Sequence, residues 1–243
     1  ATCCHVTELL MQHPEGLGII EGEYEGKETE LTFLYSLRRS QKIFPFYWNI
    51  LNTEIDILQN RGFTISERML ILGYYCRKAD EYTEEGNAEK LTALSDMLLD
   101  DELCRRIADS LKPSAADETA KARESVTIFL NMYACLRNVG MSGYVKLFDR
   151  VAERLGLSES EDTPYEFDRS KYEKLRSVYR GIEEERSFIT ENLLVNIVFT
   201  QNMSEGVWRC FFGLAVLYNM LGIMIPSFLP EKYEDKELAL ALT

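Results

Sequence analysis

Apolar residues recur at steps of three and four along most of this chain, and that spacing limits the folds open to it. Such a repeat places the apolar side chains on one face of an α-helix, where they can be buried together. The pattern occurs five times, at Trp48–Leu58, Met69–Ala79, Val126–Leu136, Tyr144–Leu155 and Tyr172–Ile182. The alternation typical of strands is scarce, and its best candidate is Gly18–Tyr24. We therefore predict an all-α protein, an irregular bundle of about nine or ten helices.

The most apolar segment indicates where the centre of this bundle lies. From Cys210 to Pro230 no residue is charged, and a segment of that length can cross a bilayer. Asn219 and Pro226 interrupt it, an acidic tail follows, and no basic cluster flanks it to set an orientation in a membrane. We therefore expect Phe211–Ile225 to be a buried helix surrounded by the others. A membrane-associated helix is the less favoured alternative.

Local signals indicate the helix boundaries and one division of the chain. Thr64 and Glu67 have the spacing of a capping box, and Asn87 is placed to cap the next helix. The longest loop candidate is the acidic, serine-rich stretch 156–164. We predict a single helical domain over residues 1–243, with a subdivision near 156–164 as the alternative. Because the chain begins Ala-Thr-Cys-Cys without an initiator Met, we expect it to be a fragment of a longer protein.

The charge balance excludes some partners and favours others. Acidic side chains outnumber basic ones by 40 to 27, which gives a formal net charge of −13. A protein that binds a phosphate backbone needs a basic surface, so we expect no nucleic-acid partner. An anionic membrane surface is disfavoured for the same reason. The acidic surface instead favours a lysine-bearing partner at long range.

The six cysteines indicate a reduced, cytoplasmic protein rather than a secreted disulfide framework. Four of them are single residues in helical stretches, where cysteine usually behaves as a small buried apolar group. Cys3 and Cys4 differ because they adjoin His5, and thiolate with imidazole suits a soft metal. A metal site needs about four ligands, and no second cysteine pair is present. Cys3 and Cys4 are therefore weak candidate metal ligands, and a remnant of an N-terminal region is the alternative.

Several common catalytic and nucleotide-binding motifs are missing from the sequence. Gly16-Leu17-Gly18 lacks the third glycine of a dinucleotide fingerprint, and there is neither a P-loop nor a nucleophile elbow. The two histidines, His5 and His13, both lie near the start. A mechanism that needs a histidine elsewhere along the chain is therefore excluded.

The first of two candidate polar pocket segments is a helix end, a tight turn and a helix start. It carries Gln59, Asn60 and Arg61, and Arg68 follows seven residues after Arg61. In a structural interpretation the arginines bond carbonyl groups at the helix end and tie two helices together. In a functional interpretation an arginine clamps a carboxylate of a substrate or cofactor.

The second polar segment lies in a very apolar helical stretch. Asn192 and Asn196 are four residues apart and so share one helix face, and Glu191 adjoins that face. Amides buried in such a helix need hydrogen-bond partners, so a link between helices is one interpretation. The other is the floor of a polar pocket, with Glu191 as an acid, a base or a cation binder.

The order and the residues of these segments resemble the C-terminal part of the flagellin lysine-N-methylase family. The likeness runs through the collinear segments Thr2–Cys3, Leu9–Met11, His13–Leu17, Ile57–Arg61, Ser66–Gly73, Glu191–Asn196 and Leu214–Gly222. This resemblance implies a bacterial, cytoplasmic protein that transfers a methyl group from S-adenosylmethionine to lysine side chains of flagellin. It also implies a cysteine-rich region, suited to an iron–sulfur or other metal cluster, upstream of the helical part.

That cysteine-rich region is absent from this chain. Only Cys3 matches a family cysteine, and Cys4 stands where the family has a proline. Iron–sulfur clusters normally take four cysteines, so we expect no cluster on this chain, and no catalytic residue is transferred by the resemblance. We expect a lysine methyltransferase-like protein whose partner is flagellin or another lysine-bearing protein. The alternative is a non-catalytic helical protein-interaction module.

Overall fold

The computed structural model describes residues 11–17, 44–157, 168–201, 203–230, 234 and 238, and these residues contain helices and no strand. The all-α prediction is therefore confirmed for the described part of the chain. Its eight α-helices are α1 Tyr47–Gln59, α2 Ile65–Glu84, α3 Ala88–Met97, α4 Asp101–Leu111, α5 Ala115–Asn138, α6 Ser142–Leu155, α7 Arg169–Thr200 and α8 Val207–Phe228. Two short 3₁₀ helices, Phe44–Phe46 and Met203–Glu205, precede α1 and α8.

The predicted number of nine or ten helices is slightly too high for these residues. The apolar stripe that begins at Tyr172 and the polar segment around Glu191 lie on two helical segments that are counted together as α7. The two segments meet at a kink at Arg186, where φ is −143° and ψ is 47°. The strand candidate Gly18–Tyr24 lies outside the described residues.

The structure confirms both predicted helix caps, at Thr64 and at Asn87. At the start of α2 the Thr64 hydroxyl accepts a bond from the amide of Glu67, and the Glu67 carboxylate accepts one from the amide of Thr64 at 2.9 Å. At the start of α3 the side-chain oxygen of Asn87 accepts a bond from the amide of Lys90 at 3.0 Å. Each cap satisfies an amide that the helix itself leaves without a partner.

The contacts divide the described residues into two compact units. The first unit comprises His13–Lys112 and Ser187–Ala215. The second comprises Ala1–Gln12, Pro113–Arg186 and Val216–Thr243, as far as they are described. Helices α7 and α8 therefore contribute residues to both units. The single domain with a subdivision near 156–164 stays a prediction, and residues 158–164 lie outside the described part.

Helix α2 organises the core of the first unit because it contacts α1, α3 and α4. The apolar stripe of α2 is buried at Leu72, Cys76 and Ala79, each with no measurable exposure. Gly73 interrupts that stripe, and the ring of Phe211 packs against it. The absence of a side chain at Gly73 therefore lets α8 contact α2 closely.

In the second unit, aromatic side chains on α5 and α6 form the middle of the core. The rings of Phe129 and Phe148 stack with centroids 4.9 Å apart, and Val151, Leu155 and Ile223 are buried around them. Stacked aromatic pairs contribute beyond the area that they bury. The apolar stripes that begin at Val126 and Tyr144 thus lie on the faces of α5 and α6 that pack together.

Helix α8 is less buried than the sequence indicated. Its most apolar window has a mean hydropathy of 1.7 and is 44% buried, and the side chain of Phe212 is 62% exposed. The prediction of a buried helix surrounded by the others is therefore only partly right: Leu214 and Ile223 are buried, whereas Phe212 is exposed. By length and composition alone α8 could span a membrane.

Replacing Gly73 by alanine should destabilise the first unit. A Cβ atom at Gly73 would lie 2.7 Å from a ring carbon of Phe211, and that ring is stacked on Trp208 with centroids 5.3 Å apart. Overpacking of this kind costs about 1–3 kcal/mol, measurable by urea unfolding. Gly213→Ala is the matched control, since nothing lies within 4 Å of its added Cβ and a helical Gly→Ala change is expected to gain up to about 1 kcal/mol. Equal effects of the two substitutions would contradict the close contact.

Candidate functional site

The two polar segments of the sequence meet at the carboxylate of Glu191. Arg61 donates from Nε to Glu191 Oε2 at 3.0 Å and from Nη2 to Oε1 at 2.8 Å, a two-pronged pair. Arg68 donates from Nη1 to Oε2 at 2.8 Å. The Glu191 side chain has no measurable exposure. Two arginines therefore compensate a carboxylate that would be costly to bury alone.

Arg68 also holds the chain that turns between α1 and α2. Its Nη1 donates to the carbonyl of Leu58 at 2.7 Å and its Nε donates to the carbonyl of Phe63 at 2.9 Å. Only 3% of its side chain is exposed, against 43% for Arg61. Arg68 thus joins the end of α1, the start of α2 and the middle of α7 at one point.

A short turn from His13 to Leu17 packs against the Glu191 cluster. Asn192 donates from Nδ2 to the carbonyl of His13 at 2.9 Å, and Gln59 donates from Nε2 to the carbonyl of Leu17. Gly16 has φ +100°, and a Cβ there would lie 3.1 Å from both Gln59 Nε2 and Glu191 Oε1. Both the backbone conformation and the space require glycine at this position.

The seven pocket residues proposed from the sequence are only partly brought together. Gln59, Arg61, Arg68, Glu191 and Asn192 converge as described. Asn60 donates from Nδ2 to Asp101 instead, at 2.9 Å, and accepts a bond from the amide of Gly62. Asn196 lies one turn beyond Asn192 and is half-buried.

The contacts match the structural interpretation of these residues, in which buried charges tie helices together. Both oxygens of Glu191 are engaged by arginines, and the bonds with Glu191 raise the pKa of Arg61. A role for Glu191 as a base, or for Arg61 as a clamp on a substrate carboxylate, requires these pairs to open. That functional role stays a prediction, and Arg61 is the member of the cluster that solvent reaches.

Replacing Arg68 by methionine should destabilise the protein by about 3–5 kcal/mol, because it leaves Glu191 with one cation and two carbonyl groups without a donor. Arg61→Met should cost less, since that side chain is half-exposed and solvent screens its pair. Urea unfolding of both variants measures the difference. If Arg61 instead acts on a substrate, Arg61→Met will lower activity by far more than its loss of stability explains.

A second buried acid, Glu54, was not identified from the sequence. It is 1% exposed on α1, where Cys76 donates from Sγ to Oε1 at 3.3 Å and Gln201 donates from Nε2 to Oε2 at 3.1 Å. Burial raises the pKa of Glu54 to about 8, although both hydrogen bonds act in the opposite direction. Burial raises the pKa of Cys76 as well, and that of Cys210 to about 11. These two thiols are therefore protonated at neutral pH and weakly reactive.

Replacing Glu54 by glutamine should remove a pH dependence of stability. The pKa of Glu54 is about 8 in the folded protein and near its ordinary value of about 4.3 when unfolded. The folded state therefore holds the proton more tightly, and its advantage declines as the pH rises from about 4 through 8. We expect the free energy of unfolding of the wild type to fall over this range, and that of Glu54→Gln to fall less. The exposed Glu84→Gln is the control, and identical pH profiles for all three proteins would contradict the assignment.

A cavity of about 230 Å³ lies among the first four helices. We call it the α1–α4 cavity, and its lining residues are Thr53, Asp56, Ile57, Asn60, Phe63, Ile71, Ser95, Asp96, Leu98, Leu99 and Cys104. Its apolar members are buried apart from Leu99, whereas Asp56 and Asp96 are exposed. Apart from Asn60, none of these residues was predicted from the sequence to be functional.

The described residues offer little to a metal ion. No group of three or more His, Cys, Asp or Glu side chains within them is arranged to hold one. Cys76, Cys104, Cys135 and Cys210 are free thiols. The candidate ligands Cys3 and Cys4 lie outside the described residues.

Comparison with known proteins identifies one family. A family model described as FliB lysine N-methylase C-terminal domain matches residues 52–226. No curated protein and no solved structure matches the chain. The match confirms the resemblance stated from the sequence, and it includes the Arg61–Arg68–Glu191 cluster, Glu54 and the whole α1–α4 cavity.

Proposed function

This chain belongs to the FliB lysine N-methylase C-terminal domain family, and from that membership we propose that it is the helical part of a protein that methylates lysine side chains of flagellin. The match over residues 52–226 is the observation that carries the proposal. The net charge of −13 supports it, because an acidic surface attracts a lysine-bearing target at long range. A cytoplasmic location accords with the free thiols of the described residues.

Methyl transfer to lysine requires the neutral amine, since the ammonium ion has no electron pair to form the new N–C bond. An apolar environment lowers the pKa of lysine by disfavouring the charged form. A nearby carboxylate can accept the proton that leaves. The task of the helical part, in this proposal, is to receive the lysine side chain before it loses its proton for the transfer.

We propose S-adenosylmethionine as the methyl donor on the resemblance alone. The α1–α4 cavity does not fit that molecule, since about 230 Å³ is below the roughly 300–1,000 Å³ of pockets for cofactor-sized ligands. The described cysteines do not fit an iron–sulfur cluster either, because no group of metal-binding side chains forms among them. We therefore assign binding of the donor and of any cluster to parts of the protein other than this cavity and these cysteines.

One observation favours the alternative of a non-catalytic interaction module. Trp208 and Phe212 are 40% and 62% exposed and, four residues apart on α8, lie on the same helix face. Exposed aromatic side chains are enriched where proteins bind other proteins. Such a module would bind flagellin without changing its mass.

The decisive assay is methylation of flagellin by the full-length protein. We expect incubation with S-adenosylmethionine to add a mass of about 14 Da, that of one CH₂ group, to a lysine residue for each methyl group transferred. Peptide mass spectra measure this increase. A reaction without the methyl donor is the control. Unmodified flagellin that nevertheless co-purifies with the protein would establish the interaction module instead.

A further inference from the structure

We propose that the α1–α4 cavity is a binding site for a lysine side chain of a protein substrate. The inference rests on the proposed function, and it adds the place where the substrate enters. It is carried by three observations within the first unit: the size and apolar floor of the cavity, the two acidic side chains in its lining, and the positions of its neutral polar groups.

The size and floor of the cavity suit the stem of lysine. Ile57, Phe63, Ile71 and Cys104 line it and are each at most 6% exposed, so they present a dry surface to methylene groups. At roughly 30 Å³ for each water-sized group, four methylenes and an ammonium need about 150 Å³. The cavity of about 230 Å³ therefore accepts a lysine side chain and has room for added methyl groups.

The charges of the lining select a cation. Asp56 on α1 and Asp96 on α3 are its only charged members, and neither lysine nor arginine lines the cavity. Desolvation raises the pKa of Asp56 although its side chain is exposed, and a nearby cation would act in the opposite direction by favouring the carboxylate. An anionic ligand would meet two negative charges and no cationic group in the lining itself.

The neutral polar groups of the cavity are already engaged in other bonds. The Thr53 hydroxyl lies 2.9 Å from that of Ser95, which in turn lies 3.2 Å from the side-chain oxygen of Asn49. Asn60 is oriented by its bond to Asp101. With these groups fixed, the two aspartates remain as the acceptors for an ammonium ion.

Methylation does not remove the charge of a lysine at neutral pH, and the methyl groups add apolar surface. The cavity should therefore bind the methylated product at least as well as the substrate. Phe63 offers an aromatic ring, which attracts cations, although the guanidinium of Arg105 already lies 5.1 Å from its centroid. Product inhibition by methylated lysine peptides is the kinetic consequence.

The test is a methyl NMR titration of the full chain, with Ile57 and Ile71 as the reporters. The probe is a short peptide whose one charged group is a lysine side chain, and the control peptide has norleucine, an uncharged residue with a four-carbon side chain, in that place. We expect the lysine peptide to shift both reporter signals and the norleucine peptide to shift neither at the same concentration. Equal shifts with both peptides, or no shift at these two residues, would overturn the proposal.

Variants separate charge recognition from general effects on the fold. Asp56→Asn combined with Asp96→Asn should weaken lysine binding about tenfold, the scale of two partly screened ion pairs. Both side chains are exposed, so the double variant should stay folded. Asp109→Asn is the matched control, because Asp109 is an exposed acid on α4 outside the cavity lining. Equal weakening by the control would reduce the effect to overall charge and overturn the site.

The same variants distinguish failure of this inference from failure of the proposed function. If the protein methylates flagellin and the double variant raises KM with kcat little changed, both stand. If methylation proceeds with an unchanged KM in the double variant, the cavity is not the lysine site although the function holds. If no flagellin is methylated while lysine binding persists and depends on the two aspartates, the binding site stands and the proposed methylase function falls.

Discussion

The buried carboxylate of Glu191 is the interaction that joins the turn between α1 and α2 to α7 in the first unit. A carboxylate without exposure costs several kcal/mol unless cations and hydrogen bonds replace its water. Arg61 and Arg68 provide both, and they flank the turn between α1 and α2. Any displacement of that turn relative to Glu191 would leave a buried charge without its partners. The turn that contains Gly16 packs against the same cluster, and a Cβ atom there would lie 3.1 Å from Gln59 Nε2 and Glu191 Oε1.

Glu54 shows what the same unit does with an acid that has no arginine. Its partners are the thiol of Cys76 and the amide of Gln201, neither of which brings a charge, so burial raises its pKa to about 8. The two buried acids thus make the stability of the unit depend on different things. Glu191 is sensitive to the loss of a partner, whereas Glu54 is sensitive to the pH of the solution.

The helices were predictable from the sequence because both of their determinants are local. The stripe through Tyr172 and the capping box at Thr64 needed only neighbours a few residues away. The pair between Arg68 and Glu191 spans 123 residues. Periodicity places a side chain on a helix face but does not identify its partner on another helix. Glu54 was within reach of the sequence, since it falls on the same stripe as Leu51 and Leu58. The α1–α4 cavity was not, because an unfilled space depends on how several helices pack together.

Both tryptophans of the chain, Trp48 and Trp208, belong to the first unit. Trp208 stacks on the Phe211 ring that contacts Gly73, and Trp48 lies edge-on to Tyr47 at the start of α1. Intrinsic tryptophan emission therefore reports on one half of the protein and is silent on the other. Far-UV circular dichroism measures the helix content of both units. The difference between the two signals during denaturation is thus a direct optical measure of whether the units unfold together.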